Sequence, residues 1–354
     1  MPLRRGSGAA PLARVPGLGP RGAGRDYAPR VNEPETTQAT QRPLVLSEAE
    51  VARVLDPDQL LDRLAEAFLV VSEGRASVPP RPAANAPNGM LSVMPGYVPG
   101  IGLGSKQVSV YPGNEAHGLP SHLAVISLFD EATGALLCLM DGTHITTART
   151  AGAAALSARL LARDDASVLA ILGAGVQGAA HLEAIPRVRP IREIRIASRG
   201  HGNAEKLAAQ DPRARAVAGF EEAVRGADIV CCCTNAATPI LDFAWLSPGT
   251  HVTSVGFNVK GPELDQATVR GGHLFVETRD AFSPPPAGCY ELQSLDPDLG
   301  TEMGALIAQK APGRRSPEEI TVYRSMGHAA EDLAAARLAY DRASAAGVGT
   351  TIAL

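Results

Sequence analysis

Between Leu60 and Val71 the apolar residues Leu60, Leu61, Leu64, Ala67, Phe68 and Val71 fall on one stripe of a 3.6-residue repeat, which predicts a core-facing helix. Two start signals precede it. Ser47 and Glu50 are spaced as a capping box, and Asp56-Pro57 supplies a cap and a first-turn proline for a helix that stops near Ser72, ahead of Gly74. From Pro79 to Met140 the period shortens. Runs at 91–93, 107–111, 123–129 and 135–140 are divided by Gly, Pro and Asn, so this stretch predicts a largely antiparallel layer.

The pattern changes again at 146–162, an Ala- and Leu-rich helix with threonines at its start, followed at 166–172 by a short, almost wholly apolar run. Such a run suits a strand covered on both faces in a parallel sheet. Helices then alternate with strands. Helical segments are predicted at 177–185, 203–210 and 220–226, and strands at 193–197, 228–233, 251–255 and 274–276. This alternation defines an α/β chain with a doubly wound parallel sheet of the Rossmann type. A last helix at 328–346 ends at Gly347.

Composition adds limits. At 354 residues two domains are expected. With 45% hydrophobic and 20% charged residues and no long uninterrupted apolar run, the chain reads as a soluble protein with no membrane partner. A net charge of −4, spread along the chain, argues against nucleic acid. Five cysteines without CxxC spacing, three of them adjacent at Cys231, Cys232 and Cys233, suit reduced thiols in the cytoplasm; the triplet reads as a buried strand, and no metal is expected. Residues 1–42, rich in Gly, Pro, Ala and Arg, are expected to lack regular structure.

Chemistry enters with Gly173-Ala174-Gly175-Val176-Gln177-Gly178, a GxGxxG directly after a strand and at the head of a helix. Gly173 allows the tight turn, Gly175 lets a diphosphate approach the backbone, Gly178 lets helix and strand pack closely, and the helix N-terminus at Val176 and Gln177 receives the negative charge. Where an acidic residue would hold the ribose 2′-hydroxyl of NAD, this chain has Ser198-Arg199. NADPH is therefore expected over NADH. Three cations stand beside Gly, Pro or a helix start: Arg81, Lys106 and Arg149. Arg149, taken as a first-turn residue, opposes the helix dipole, and a carboxylate docked there would explain it.

Gly118-Leu119-Pro120-Ser121-His122, Met140-Asp141-Gly142, Arg149-Thr150-Ala151, the dinucleotide loop and Ser325-Met326-Gly327 together resemble the ornithine cyclodeaminase and mu-crystallin family. The resemblance implies a Rossmann domain (163–324) inserted in a split α+β substrate and dimerisation domain (43–162 with 325–354), and a homodimer. It implies that Arg81, Lys106 and Arg149 bind a small amino-acid-like or cyclic imine substrate. Ser121 and His122 would lie by the nicotinamide, Arg149 would also border the cofactor, and Thr234 and Asn235 would follow the strand that approaches it. Ornithine cyclodeaminases carry an aspartate where this chain has Asn258, and an amide takes up no proton near neutral pH. The departure points to ketimine reduction, with Lys106 as proton donor and Asn258 orienting the imine. Cyclodeamination, an alanine-dehydrogenase-type reaction and a mu-crystallin-like binding role stay open as alternatives.

Overall fold

The computed structural model describes residues 41–354 with the exception of Val259. All but the last two residues of the segment 1–42 thus lie outside the described residues. The chain opens with β1 (Leu44–Leu46), α1 (Glu48–Val54), α2 (Pro57–Ser72), β2 (Ala83–Ala86), β3 (Gly89–Val98), β4 (Gly102–Val110), β5 (His122–Phe129), β6 (Leu136–Asp141) and α3 (Thr143–Leu161). It continues with β7 (Val168–Leu172), α4 (Val176–Ala184), β8 (Glu193–Ala197), α5 (His201–Ala208), β9 (Ala214–Ala216), α6 (Phe220–Val224), β10 (Ile229–Cys232), β11 (His251–Ser254) and α7 (Gln266–Gly271). Then come β12 (His273–Val276), β13 (Thr301–Glu302), α8 (Met303–Ile307), β14 (Thr321–Arg324), α9 (Ala329–Ala346) and β15 (Thr350–Thr351).

Two sheets result. The first has the order β15-β1-β6-β5-β4-β3-β2 and is antiparallel except for the β1–β6 pair. The second is the expected doubly wound parallel sheet, in the order β13-β12-β14-β11-β10-β7-β8-β9. Its direction of winding reverses at β7, so the crevice outside the carboxyl ends of β7 and β10 is where a ligand fits. All five cysteines are free and buried, the triplet in and just after β10. Among the described residues no helix is long and apolar enough to cross a membrane.

Local chemistry accounts for the helix starts. The Ser47 N–H donates to Glu50 Oε2 at 2.9 Å, completing the capping box, and Asp56 Oδ1 accepts from the N–H groups of Asp58 (3.0 Å) and Gln59 (2.9 Å). The α2 stripe is buried as expected except that Val70, not Val71, lies inside. Two corrections bear on the site. Helix α3 begins at Thr143 rather than 146, so Arg149 sits in its second turn, past the free N–H groups expected to share a docked carboxylate with it, and its guanidinium faces Asp332 and Glu331 instead. Strand β4 runs through the glycines of 102–104, so Lys106 projects from mid-strand and not from a turn.

Helix α9 lies on the buried face of the first sheet. A Cβ at Gly104 of β4 would overlap the Ser127 carbonyl oxygen and come within 2.8 Å of Leu333, so this glycine lets α9 settle directly on the strand. That close approach brings the first turn of α9, Glu331 and Asp332, over Lys106.

Candidate active site

The dinucleotide loop is shaped by its glycines. Gly173 has φ +112°, and a Cβ there would meet the Cys233 carbonyl oxygen at 2.6 Å; a Cβ on Gly178 would overlap the Gly173 carbonyl oxygen. Beside Gly175 there is open space. Nothing lies within 4 Å of where its Cβ would be, and α4, with Gly175 as its N-cap, presents its first N–H groups there. Closed glycines on either side of an open one fit a diphosphate seated on a helix N-terminus. Val176 is exposed and Gln177 half-buried at this helix start. Ser198 is half-buried and Arg199 exposed just past the end of β8, beside this loop through the Gly173 N–H to Ala197 oxygen bond of 2.8 Å.

Buried carboxylates brace the strand ends next to the loop. Glu263 accepts from the Thr234 N–H and hydroxyl, both at 2.7 Å, from the Ser254 hydroxyl at 2.7 Å and from the Gly256 N–H at 2.9 Å. Arg324 pairs with Glu291 at 2.8 Å and donates to the Gly256 carbonyl at 2.7 Å. Glu277 accepts from the Ser325 hydroxyl (2.6 Å) and the Met326 and Gly327 N–H groups (2.9 Å to each). These bonds tie residues 234, 254–256 and 325–327 together at the mouth of the parallel sheet.

This frame meets the cations. Arg81 donates to the Gly327 carbonyl at 2.6 Å, tying the segment ahead of β2 to the loop that enters α9. Arg149 donates through Nε to Asp332 Oδ1 at 3.0 Å and through Nη1 to Glu331 Oε2 at 3.2 Å. Lys106 Nζ lies 2.7 Å from Asp332 Oδ2. Gly327, at φ +73°, packs against the Arg149 guanidinium, and a Cβ there would come within 2.6 Å of Nη1. Arg81, Lys106 and Arg149, far apart in sequence, thus form one group.

Their titration follows from burial and from each other. Burial pushes Lys106 down to about 8, Asp332 opposing it and Arg149 adding to it. Burial also works against the charge of Arg149, but Asp332 and Glu331 outweigh it and its pKa is raised. Desolvation lifts Glu331 to about 8 against the pull of Arg149. For Asp332 burial is overcome by Lys106 and Arg149, so the carboxyl is held below its ordinary range. Partial desolvation, with Lys106 second, holds His122 low; its Nδ1 is 3.0 Å from the Ser121 hydroxyl, and both residues are exposed.

Other expected site residues are engaged locally. Both polar groups of Thr234 point to Glu263. Asn258 donates through Nδ2 to the Asn235 carbonyl at 2.7 Å and accepts the Lys260 N–H at 2.9 Å, so its amide pins one loop to the next. One N–H and one lone pair of that amide are left over. The acidic partners Glu263, Glu277, Glu331 and Asp332 were not read from the sequence. The spacing of His328 and Glu331 as a capping box was the one available signal, and it marks a helix start rather than a site.

A doubly wound parallel sheet with an open glycine loop and a cluster of cations at its mouth is the architecture of a dinucleotide-dependent oxidoreductase. The chain belongs to the ornithine cyclodeaminase/mu-crystallin family, whose model matches residues 41–347. It is 38% identical over 256 residues to the ketimine reductase mu-crystallin of Mus musculus, covering 72% of this chain and 80% of that one. Among solved structures it is similar to Thermococcus litoralis Δ1-pyrroline-2-carboxylate reductase in complex with NADH and L-proline, with a TM-score of 0.81, 34% identity, 87% of this chain and 100% of that one. It is also similar to an archaeal alanine dehydrogenase dimer with bound NAD, with a TM-score of 0.78, 30% identity, 88% of this chain and 99% of that one.

Proposed function

We propose that this enzyme reduces a cyclic ketimine carboxylate, such as Δ1-pyrroline-2-carboxylate, to the cyclic α-amino acid. The observation that carries the reading is the union of two permanently charged guanidiniums with a lysine poised near pH 8. A ketimine carboxylate asks for both. Its carboxylate needs a fixed cationic clamp, for which Arg81 and Arg149 are suited. Its nitrogen must carry a proton before C=N becomes a good acceptor, and Lys106 can donate one near neutral pH. The dinucleotide, when bound, supplies hydride to the imine carbon. Ser121 and His122 border the nicotinamide side of the substrate, while Asn258 holds its loop and offers its remaining N–H to the ring. Asn258 in place of an aspartate weighs against cyclodeamination.

The cofactor reading is NADPH, with Arg199 free to meet a 2′-phosphate and Ser198 beside it; Thr234 and Asn235 frame the nicotinamide end. The domains read as a Rossmann domain at 163–324 within a split substrate and dimerisation domain at 43–162 and 325–354. The working form is a homodimer. The outward face of the first sheet exposes Leu91, Leu123 and Val125, each 38–46% accessible, and a second copy would cover them. A cytoplasmic location suits the free thiols.

The test is NADPH oxidation followed by absorbance with five- and six-membered ketimine carboxylates. Turnover without ammonia is expected. Turnover only with a 2-oxo acid plus ammonia would move the assignment to an amino-acid dehydrogenase. Tight NADPH binding without any turnover would favour a binding role.

A further inference from the structure

Asp332 occupies an unusual place in the cluster. It is buried at the first turn of α9, and it divides its two oxygens between two cations from different elements, Oδ2 to Lys106 of β4 at 2.7 Å and Oδ1 to Arg149 of α3 at 3.0 Å. Among the described residues, the charged and titratable groups facing Lys106 are Asp332 from α9, Arg149 from α3, Arg81 from the segment ahead of β2 and His122 from β5. Asp332 is the only anion among them. Glu331 reaches Arg149 but retains its proton until about pH 8, and Glu277 is occupied by the loop at 325–327.

We infer that Asp332 is the positioning residue of the reduction, one carboxylate that fixes the proton-donating ammonium against the carboxylate-binding guanidinium and keeps that ammonium charged. The inference rests on the reductase reading above. A buried ammonium among two guanidiniums would otherwise discharge, and a neutral amine has no proton to give to the imine. Burial already holds Lys106 near 8 with Asp332 in place, so loss of that negative charge moves it lower. The substrate's carboxylate needs Arg81 and Arg149 but not Asp332, which repels it. Removal of the charge should therefore impair proton delivery and spare binding.

The experiment compares the wild-type holoenzyme with Asp332→Asn and Asp332→Glu. The rates kcat and KM for Δ1-pyrroline-2-carboxylate with NADPH are measured from pH 6 to 9.5. Calorimetry measures binding of pyrrole-2-carboxylate, a planar analogue that is not reduced, to enzyme loaded with NADP⁺. For Asp332→Asn the alkaline limb of kcat should move at least one pH unit toward acid, which lowers kcat at pH 7.5 at least about threefold. Analogue affinity should change less than threefold. Asp332→Glu, which restores the charge on a longer stem, should return the limb to its wild-type position with a reduced kcat. An unmoved limb in Asp332→Asn, or a parallel loss of kcat and analogue binding with no limb shift, overturns the inference. If Asp332→Asn does not fold, Asp332→Glu decides: a shifted limb or an unchanged kcat overturns it. If the wild-type enzyme reduces no ketimine, the reductase reading fails on its own. The positioning role is then judged by the titration of Lys106 itself, followed by NMR of lysine-labelled protein, which should lie at least one pH unit lower in Asp332→Asn; the same transition in both refutes it.

Discussion

Replacing Arg149 with Met removes a buried guanidinium while keeping much of its length, and the surroundings set the cost. Two carboxylates face it, Asp332 at 3.0 Å and Glu331 at 3.2 Å. Breaking a buried ion pair from one side typically costs about 3–5 kcal/mol because a charge is left without its partner. Here the lower end applies at pH 6, since Asp332 keeps Lys106 and Glu331 carries a proton. The deficit should then be about 3 kcal/mol. It should grow with pH. In the wild type Glu331 titrates near 8, above its ordinary value, so its contribution to stability is full at low pH and is lost as pH rises through 8. Ionisation of Glu331 next to Arg149 limits that loss. Without Arg149 the carboxyl holds its proton to higher pH, and the variant goes on losing stability where the wild type levels off. By pH 9, one unit above the wild-type value, this adds about 1.4 kcal/mol. Lys106 acts in the same direction: without the neighbouring guanidinium it keeps its proton longer, and the variant recovers less of the cost of burying that charge. Urea unfolding followed by circular dichroism at pH 6 and pH 9 measures both deficits. Equal deficits at the two pH values, or a deficit below 1 kcal/mol at pH 6, would refute this reasoning.

Glycines of the dinucleotide loop should separate binding from folding. Gly175→Val enters open space, so thermal stability should stay within a few degrees of the wild type while the KM for dinucleotide rises at least tenfold; Gly178→Ala collides with the Gly173 carbonyl and should lower stability by about 1–3 kcal/mol in urea unfolding. Arg199→Ala should raise the KM for NADPH about tenfold, in keeping with the loss of a charge-assisted contact, and change that for NADH less than threefold in the same absorbance assay. Val125→Glu places a charge on the exposed apolar face of the first sheet and should convert a dimer to a monomer by light scattering, with the thermal transition becoming lower but still cooperative.

Local signals survived folding where they act over a few residues. The capping box at Ser47, the Asp56-Pro57 start, the αL glycine at Gly347 and the loop from Gly173 to Gly178 all stand where the sequence put them. Elements defined by distant neighbours did not show. Strand β14 lies in the middle of the parallel sheet, yet it has four residues and ends in Arg324, a type that reads as solvated until Glu291 is known to meet it. Strand β4 was shortened because Gly102 and Gly104 read as turn formers, whereas Gly104 serves the approach of α9. Arg81, Lys106 and Arg149 are singled out by their flanking Gly, Pro or helix start and by the resemblance, and the structure brings the three together, although Arg149 lies a turn deeper in α3 than its sequence setting implies. Their carboxylate partners carry no such mark, since Glu331 and Asp332 in a first helical turn are ordinary complements of the helix dipole.

The bond from Arg149 to Asp332 joins residues 183 positions apart. In synthesis from the amino end, β4 and α3 therefore emerge with the buried cations Lys106 and Arg149 long before the carboxylates that face them exist. Until α9 arrives, those charges stand without their carboxylate partners on the face that α9 will cover. The first segment made is in this sense the last to be completed, and a chain stopped short of α9 would lack charge balance as well as a helix.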